Sequence, residues 1–102
     1  VRYLSEKSVR ELTRKQTGEV KPAGHGAGNF HALAFQEAVA PQGPTAALTK
    51  GSFGKGGAGG SLTWVDPSTK TIYIMLQNAW GGDKNLTHTT FLNTASKAIP
   101  SN

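Results

Sequence analysis

Residues 52–78, SFGKGGAGGSLTWVDPSTKTIYIMLQN, decide the fold of this chain. Two strand-like runs lie in it, Ser61 to Val65 and Thr71 to Leu76. Asp66-Pro67-Ser68-Thr69-Lys70 joins them, and its Asp-Pro start and short polar body predict a hairpin turn. In the second run Ile72, Ile74 and Leu76 fall on one face and Tyr73 and Met75 on the other, the period of two that a strand imposes. Ahead of the hairpin, Gly54, Gly56, Gly57, Gly59 and Gly60 surround a single cation, Lys55.

Upstream, Phe30 to Val39 (FHALAFQEAV) carries Phe30, Ala32 and Ala34 on one face and His31, Leu33 and Phe35 on the other. Both faces are largely apolar, which predicts a buried strand, with a helix as the alternative for so Ala-rich a run. Pro41, Gly43 and Pro44 close it. Lys21 to Asn29, with Pro22 and three glycines, reads as a loop. Before it, a helix is expected from about Glu6 to Thr17. Ser5 is a suitable N-cap, Leu4 and Val9 sit where a hydrophobic staple would, and Gly18 supplies a left-handed stop. Downstream, Trp80-Gly81-Gly82-Asp83 breaks the chain. A last helix is expected from about Leu86 to Ile99, with Phe91, Leu92, Ala95, Ala98 and Ile99 at helical spacing and Pro100 ending it. The order predicts an α+β arrangement: an antiparallel sheet of about three strands flanked by an N-terminal and a C-terminal helix.

The 102 residues fit one domain, spanning 1–102. A domain of this size buries only about two-thirds of the surface its unfolded chain exposes, so its stability margin is thin. With no Cys, disulfides, thiolate metal sites and a thiol nucleophile are excluded. His25, His31 and His88 have no ligand spacing and no acid cluster beside them, so no metal site is expected. Trp64 and Trp80 read as core and rim aromatics. The apolar runs fall far short of the roughly 20 residues that a membrane span needs, and no signal peptide is visible. A start at Val1 rather than Met suggests a fragment, a processed chain or an excised piece.

The formal net charge is +5, and Arg2, Lys7, Arg10, Arg14, Lys15 and Lys21 supply six of the eleven basic residues. Nucleic-acid binding is one reading of such a cluster. Glu6, Glu11 and Glu19 dilute it, however, and no aromatic alternates with the bases to stack on nucleotides. A solvated helix face is the better reading, and no nucleic-acid partner is expected.

The glycine segment admits three readings. Gly54, Gly56 and Gly59 satisfy G-x-G-x-x-G, but a phosphate cradle needs a helix immediately after it, and Ser61 to Val65 is strand-like. The Walker pattern fails as well, because Gly56 rather than Ser or Thr follows Lys55. A bulge or tight crossing at a strand start is the second reading. Five glycines are more than a bulge requires, and glycine weakens a strand unless something gains from close approach of the backbone. The third reading is therefore a strand edge that takes substrate.

On that third reading a resemblance emerges. Lys55-Gly56-Gly57-Ala58-Gly59-Gly60, the turn Val65-Asp66-Pro67 and then Ile74-Met75-Leu76-Gln77-Asn78 together resemble the Lys-Thr-Gly strand region of class C β-lactamases. D-Ala-D-Ala carboxypeptidases and related serine esterases of the penicillin-binding/β-lactamase superfamily share it. Tyr3-Leu4-Ser5 through Arg14-Lys15-Gln16-Thr17 looks like the segment before that strand, Phe35-Gln36 like an edge strand, and the last helix like the family's C-terminal helix. The resemblance covers nearly the whole chain and is most specific over residues 55–78.

What the resemblance implies is a C-terminal part of the α/β lobe of a β-lactamase/transpeptidase-like fold, from a serine enzyme that hydrolyses acyl esters or amides. Lys55 would be the lysine of the third motif. Gly56 stands where the family often has Thr or Ser to bind a substrate carboxylate, which tilts the expectation toward an esterase. Gly57 would let the acyl group approach, and the backbone amide of Ala58 would be one of two oxyanion donors. The family's nucleophile lies in Ser-x-x-Lys, assisted by Tyr-x-Asn, far upstream. Tyr-x-Asn is absent, and the one match to the first, Ser52-Phe53-Gly54-Lys55, lies in a glycine-rich loop rather than on a helical turn. The chain alone is thus expected to be inactive. Its implied partner is the nucleophile-bearing remainder of the hydrolase, with self-association through an exposed sheet edge as a second possibility. No cofactor is implied, and a periplasmic or extracellular bacterial location is. A non-catalytic binding or scaffold module, with Lys55 as an anion contact, is the main alternative.

Overall fold

The structure, a computed structural model, describes residues 2–20, 29–78 and 82–100. It is α+β: helix α1 (Glu6–Thr13), strands β1 (Asn29–His31), β2 (Gln36–Ala38), β3 (Phe53–Gly56), β4 (Gly60–Asp66) and β5 (Thr71–Asn78), and helix α2 (Lys84–Lys97). The strands form one antiparallel sheet in chain order, β1-β2-β3-β4-β5. A 3-10 turn, Gly43–Thr45, packs against α2.

The sheet has five strands rather than about three, for two reasons. The expected strand over residues 30–39 is a hairpin: the Ala32 amide donates to the Phe35 carbonyl at 2.8 Å, folding the run back so that β1 pairs with β2. The glycine segment, read as an entry loop, contributes β3. Pro22 and His25, and with them most of the expected loop, lie outside the described residues, as does Trp80.

Helix α1 starts as the sequence predicts, with the Ser8 amide donating to Ser5 Oγ at 3.0 Å. It ends four residues early, at Thr13, because the chain beyond it finds other partners. The Lys15 amide donates to the Glu37 carboxylate and the Gln16 amide to the His31 carbonyl. The Leu33 amide meanwhile takes the Leu12 carbonyl, so the segment is bound to the β1–β2 hairpin instead of continuing the helix. Gly18 is left-handed as expected, but in the turn that follows. Helix α2 begins two residues earlier than expected because Asp83 caps it, its Oδ1 accepting from the Leu86 amide.

The core lies between α2 and one face of the sheet. Leu62, Trp64 and Tyr73 point into it with Ala38, Leu48 and Leu92, and Met75, Phe91, Ala95 and Ile99 pack around them. On β4 the burial alternates strictly, Leu62, Trp64 and Asp66 in and Thr63 out. The same alternation on β5 buries Tyr73 and leaves Ile72, Ile74 and Leu76 outside. Helix α1 lies over the other face, near Phe53 and Pro67, with no residue fully buried.

One irregularity interrupts the β4–β5 ladder. Gly60 pairs with Asn78 and Leu62 with Met75, so β5 carries one extra residue opposite Ser61. The Ser61 hydroxyl fills the gap: it accepts from the Gln77 amide and donates to the Gln77 carbonyl, both at 3.0 Å. Removing it strands both groups of one residue. Ser61→Ala is therefore expected to lower stability by about 1–2 kcal/mol, read as a drop in urea midpoint with an unchanged slope.

Candidate functional site

Strand β3 carries two of the residues that the sequence singled out, Lys55 and Gly56, and the turn after it carries Gly57 and Ala58. The pairing of β3 with β2 covers only Gln36↔Gly54 and Glu37↔Phe53, while β4 pairs with all four of its residues. From Lys55 onward, no described strand covers the β2 side of β3. Lys55 is exposed and pairs with exposed Thr63, so its side chain stands on the sheet face away from the core. Gly56, the last strand residue, faces Leu62. A methyl group at Gly56 would meet nothing nearer than 3.8 Å, so the glycine here keeps open a surface rather than a core contact.

Gly57 to Gly60 then turn the chain. The Gly57 amide donates to the Ser61 carbonyl at 2.8 Å and the Gly60 amide to the Gly57 carbonyl at 3.1 Å. Ala58 sits at the exposed tip. Two side chains of α2 hold this tip: Lys84 Nζ donates to the Ala58 carbonyl, and His88 Nε2 lies 2.7 Å from the Gly60 carbonyl. A carbonyl oxygen only accepts, so this contact requires the proton on His88 Nε2. The sequence singles out neither for this role: Lys84 is not selected at all, and His88 is weighed only as a metal ligand. Their signal is the spacing of four, which places both on one helix face.

The four sequence-selected positions are thus brought together as consecutive residues of a strand end and its turn. They line neither of two grooves formed among the described residues. A groove of about 470 Å³ between α1 and the sheet is lined by Leu4, Val9, Arg10, Phe53 and Pro67, among others, and Lys55 is not one of them.

The serines flanking the motif are both committed. Ser52 is fully buried, and its hydroxyl donates to the Thr49 carbonyl at 2.7 Å. It precedes a strand, where residues three apart face opposite ways, so it cannot meet Lys55 as the two residues of a helical Ser-x-x-Lys turn do. Ser61 is held by Gln77. What remains is a cation beside a glycine-bare main chain, an arrangement that attracts an anionic or carbonyl-bearing ligand to a strand edge.

The basic cluster in and around α1 is partly neutralised by neighbouring acids: Arg2 pairs with Glu6 at 3.2 Å, Arg14 with Glu11 at 2.7 Å and Lys15 with Glu19 at 3.6 Å. The Arg14 hydrogen bond, with help from Gln16, holds the Glu11 carboxyl below its ordinary value. Among the described residues, no helix is long and apolar enough to cross a membrane. No protein-family model matches this chain, and no curated protein matches it.

Proposed function

We propose that this chain supplies the substrate-facing strand of a serine acyl hydrolase of the penicillin-binding/β-lactamase superfamily. The observation that carries this reading is the placement of Lys55: exposed, at the point where β2 stops covering β3, and followed by two glycines and an exposed turn. In this reading the ammonium favours the anionic part of an acyl substrate, Gly56 and Gly57 admit its carbonyl, and the Ala58 amide donates to the developing oxyanion. Lys84 and His88 steady that amide by holding the carbonyls around it. With Gly56 in place of a hydroxyl-bearing residue, an ester is the favoured substrate class. The nucleophile comes from another part of the hydrolase, and the location is periplasmic or extracellular in a bacterium. No observation favours a second reading over this one.

The test uses a fluorophosphonate probe, which forms a covalent adduct with an activated serine. The native protein that carries this sequence is expected to label, and Lys55→Ala in that protein to slow labelling by ~10-fold or more. The 102-residue chain is expected to stay unlabelled and to hydrolyse neither p-nitrophenyl acetate nor a chromogenic cephalosporin above background. A native protein that never labels, or labels equally fast without the Lys55 amine, sinks the proposal.

A further inference from the structure

We infer that His88 is a positioning residue for the oxyanion donor: it aims the Ala58 amide through the turn and touches no substrate itself. This role rests on the hydrolase reading. The donor belongs to the peptide that joins Gly57 to Ala58. In a trans peptide the carbonyl and the N–H point in opposite directions. The Gly57 carbonyl accepts from the Gly60 amide at 3.1 Å, inside the turn. The Ala58 N–H therefore points out of the turn, and among the described residues it has no acceptor. Whatever fixes Gly60 fixes the direction of that donor.

Gly60 cannot fix itself. It is left-handed, at φ +95°, and glycine has the widest choice of backbone angles of any residue. The β4–β5 ladder is irregular at this point, between Gly60 and Leu62, so strand pairing holds it only in part. The anchor comes from α2, where His88 Nε2 donates to the Gly60 carbonyl at 2.7 Å. The imidazole is a stiff arm for this task. It is half-buried and stands one helical turn before the fully buried Leu92, which ties α2 to the core. A Cβ at Gly56 would stand 3.8 Å from His88 Cε1, so the ring also lies beside the end of the substrate-facing strand. Lys84 grips the Ala58 carbonyl, which belongs to the next peptide and leaves the Gly57–Ala58 plane able to tilt. The contacts that reach the donor run from His88 through Gly60 to Gly57.

The test compares His88→Phe, which keeps an aromatic ring but donates nothing, with His88→Gln, whose side-chain amide can donate to the same carbonyl. Both are made in the native protein that carries this sequence, with p-nitrophenyl acetate as substrate. Removing a whole oxyanion donor costs ~10²–10³ in rate. Spoiling its aim is expected to lower kcat of His88→Phe by ~10-fold or more and to leave KM within about 2-fold, the pattern of a contact made only in the transition state. His88→Gln should recover to within ~3-fold of the parent kcat. Nitrogen NMR of the parent gives a reading that needs no turnover: the His88 ring should carry its proton on Nε2. A parent that turns over while His88→Phe keeps its kcat, loses activity through KM alone, or does no worse than His88→Gln overturns this role and leaves the hydrolase reading standing. A ring protonated on Nδ1 alone does the same. A native protein that neither turns over nor takes the fluorophosphonate label overturns both.

Discussion

Gly54→Ala is expected to lower stability by ~3 kcal/mol or more, a large share of what a domain of about 100 residues possesses. A methyl group built at Gly54 would stand 2.2 Å from the Thr63 carbonyl oxygen, 2.6 Å from the Trp64 indole and 2.8 Å from Trp64 Cα. Two of these three are main-chain atoms of the neighbouring strand, so no side-chain rotation relieves them. Either β3 moves away from β4, breaking the ladder, or the indole leaves the core. Gly56→Ala is the internal control, two residues further along the same strand. Its new methyl meets nothing closer than 3.8 Å, and its expected cost is about 1 kcal/mol or less. Urea unfolding of the two variants checks the contrast. Similar midpoints would show that Trp64 does not lie across Gly54 as described.

Asp66→Ala is expected to be nearly as damaging. The Asp66 side chain is buried at the start of the β4–β5 turn. It accepts from the Thr49 amide at 2.9 Å and the Thr49 hydroxyl at 2.5 Å, and from the turn amides of Ser68 and Thr69 at 3.1 and 3.4 Å. One carboxylate thus ties the hairpin to the segment that leads into β3. Removing it leaves those donors unpaired, at a cost of about 2–4 kcal/mol. By the usual scaling this lowers the melting temperature by roughly 10 °C or more.

The same carboxylate gives stability a definite pH dependence. Burial pushes the Asp66 carboxyl up, but the hydrogen bonds from Thr49, Thr69 and Ser68 outweigh it and leave the group below its ordinary value. The unfolded chain therefore binds this proton at higher pH than the folded one does. The contribution is present above the unfolded value of about 4 and is lost as pH falls through the lower, folded value. Melting curves taken between about pH 7 and about pH 2 should show a steep acid loss in the parent and a shallower one in Asp66→Asn. Parallel curves would mean that Asp66 is no more favourably held than a solvent-exposed carboxylate.

How legible all this was depended on where one local signal was unopposed. The β4–β5 hairpin was readable because Thr71 to Leu76 alternates and Asp66-Pro67 has few conformations open to it. Yet the same alternation did not say which face is inside. Tyr73 and Met75 bury against α2, while the more apolar face of Ile72, Ile74 and Leu76 stays out, and that choice belongs to packing. Residues 30–39 misled because apolar residues on both faces hide a reversal, and the turn at Ala32–Phe35 contains neither Gly nor Pro. The end of α1 was set by distant partners, Glu37 and His31, which local caps do not reveal. Within the glycine segment, chemistry and packing were superimposed. Gly54 makes room for an indole and Gly56 for open surface, a distinction invisible until Trp64 is placed opposite. Lys84 was missed and His88 was weighed only as a metal ligand, because a helix of mixed polarity gives no reason to select either for holding a turn.

That the strands lie side by side in the order of synthesis has a kinetic consequence. Each new strand pairs with the one made just before it, so the sheet can grow by successive hairpins, with no segment held unpaired while a remote partner is made. Among sheet proteins such a layout belongs at the fast end, since short closures cost the least entropy. The burial of Leu92 against the assembled strands then becomes the last event rather than the first.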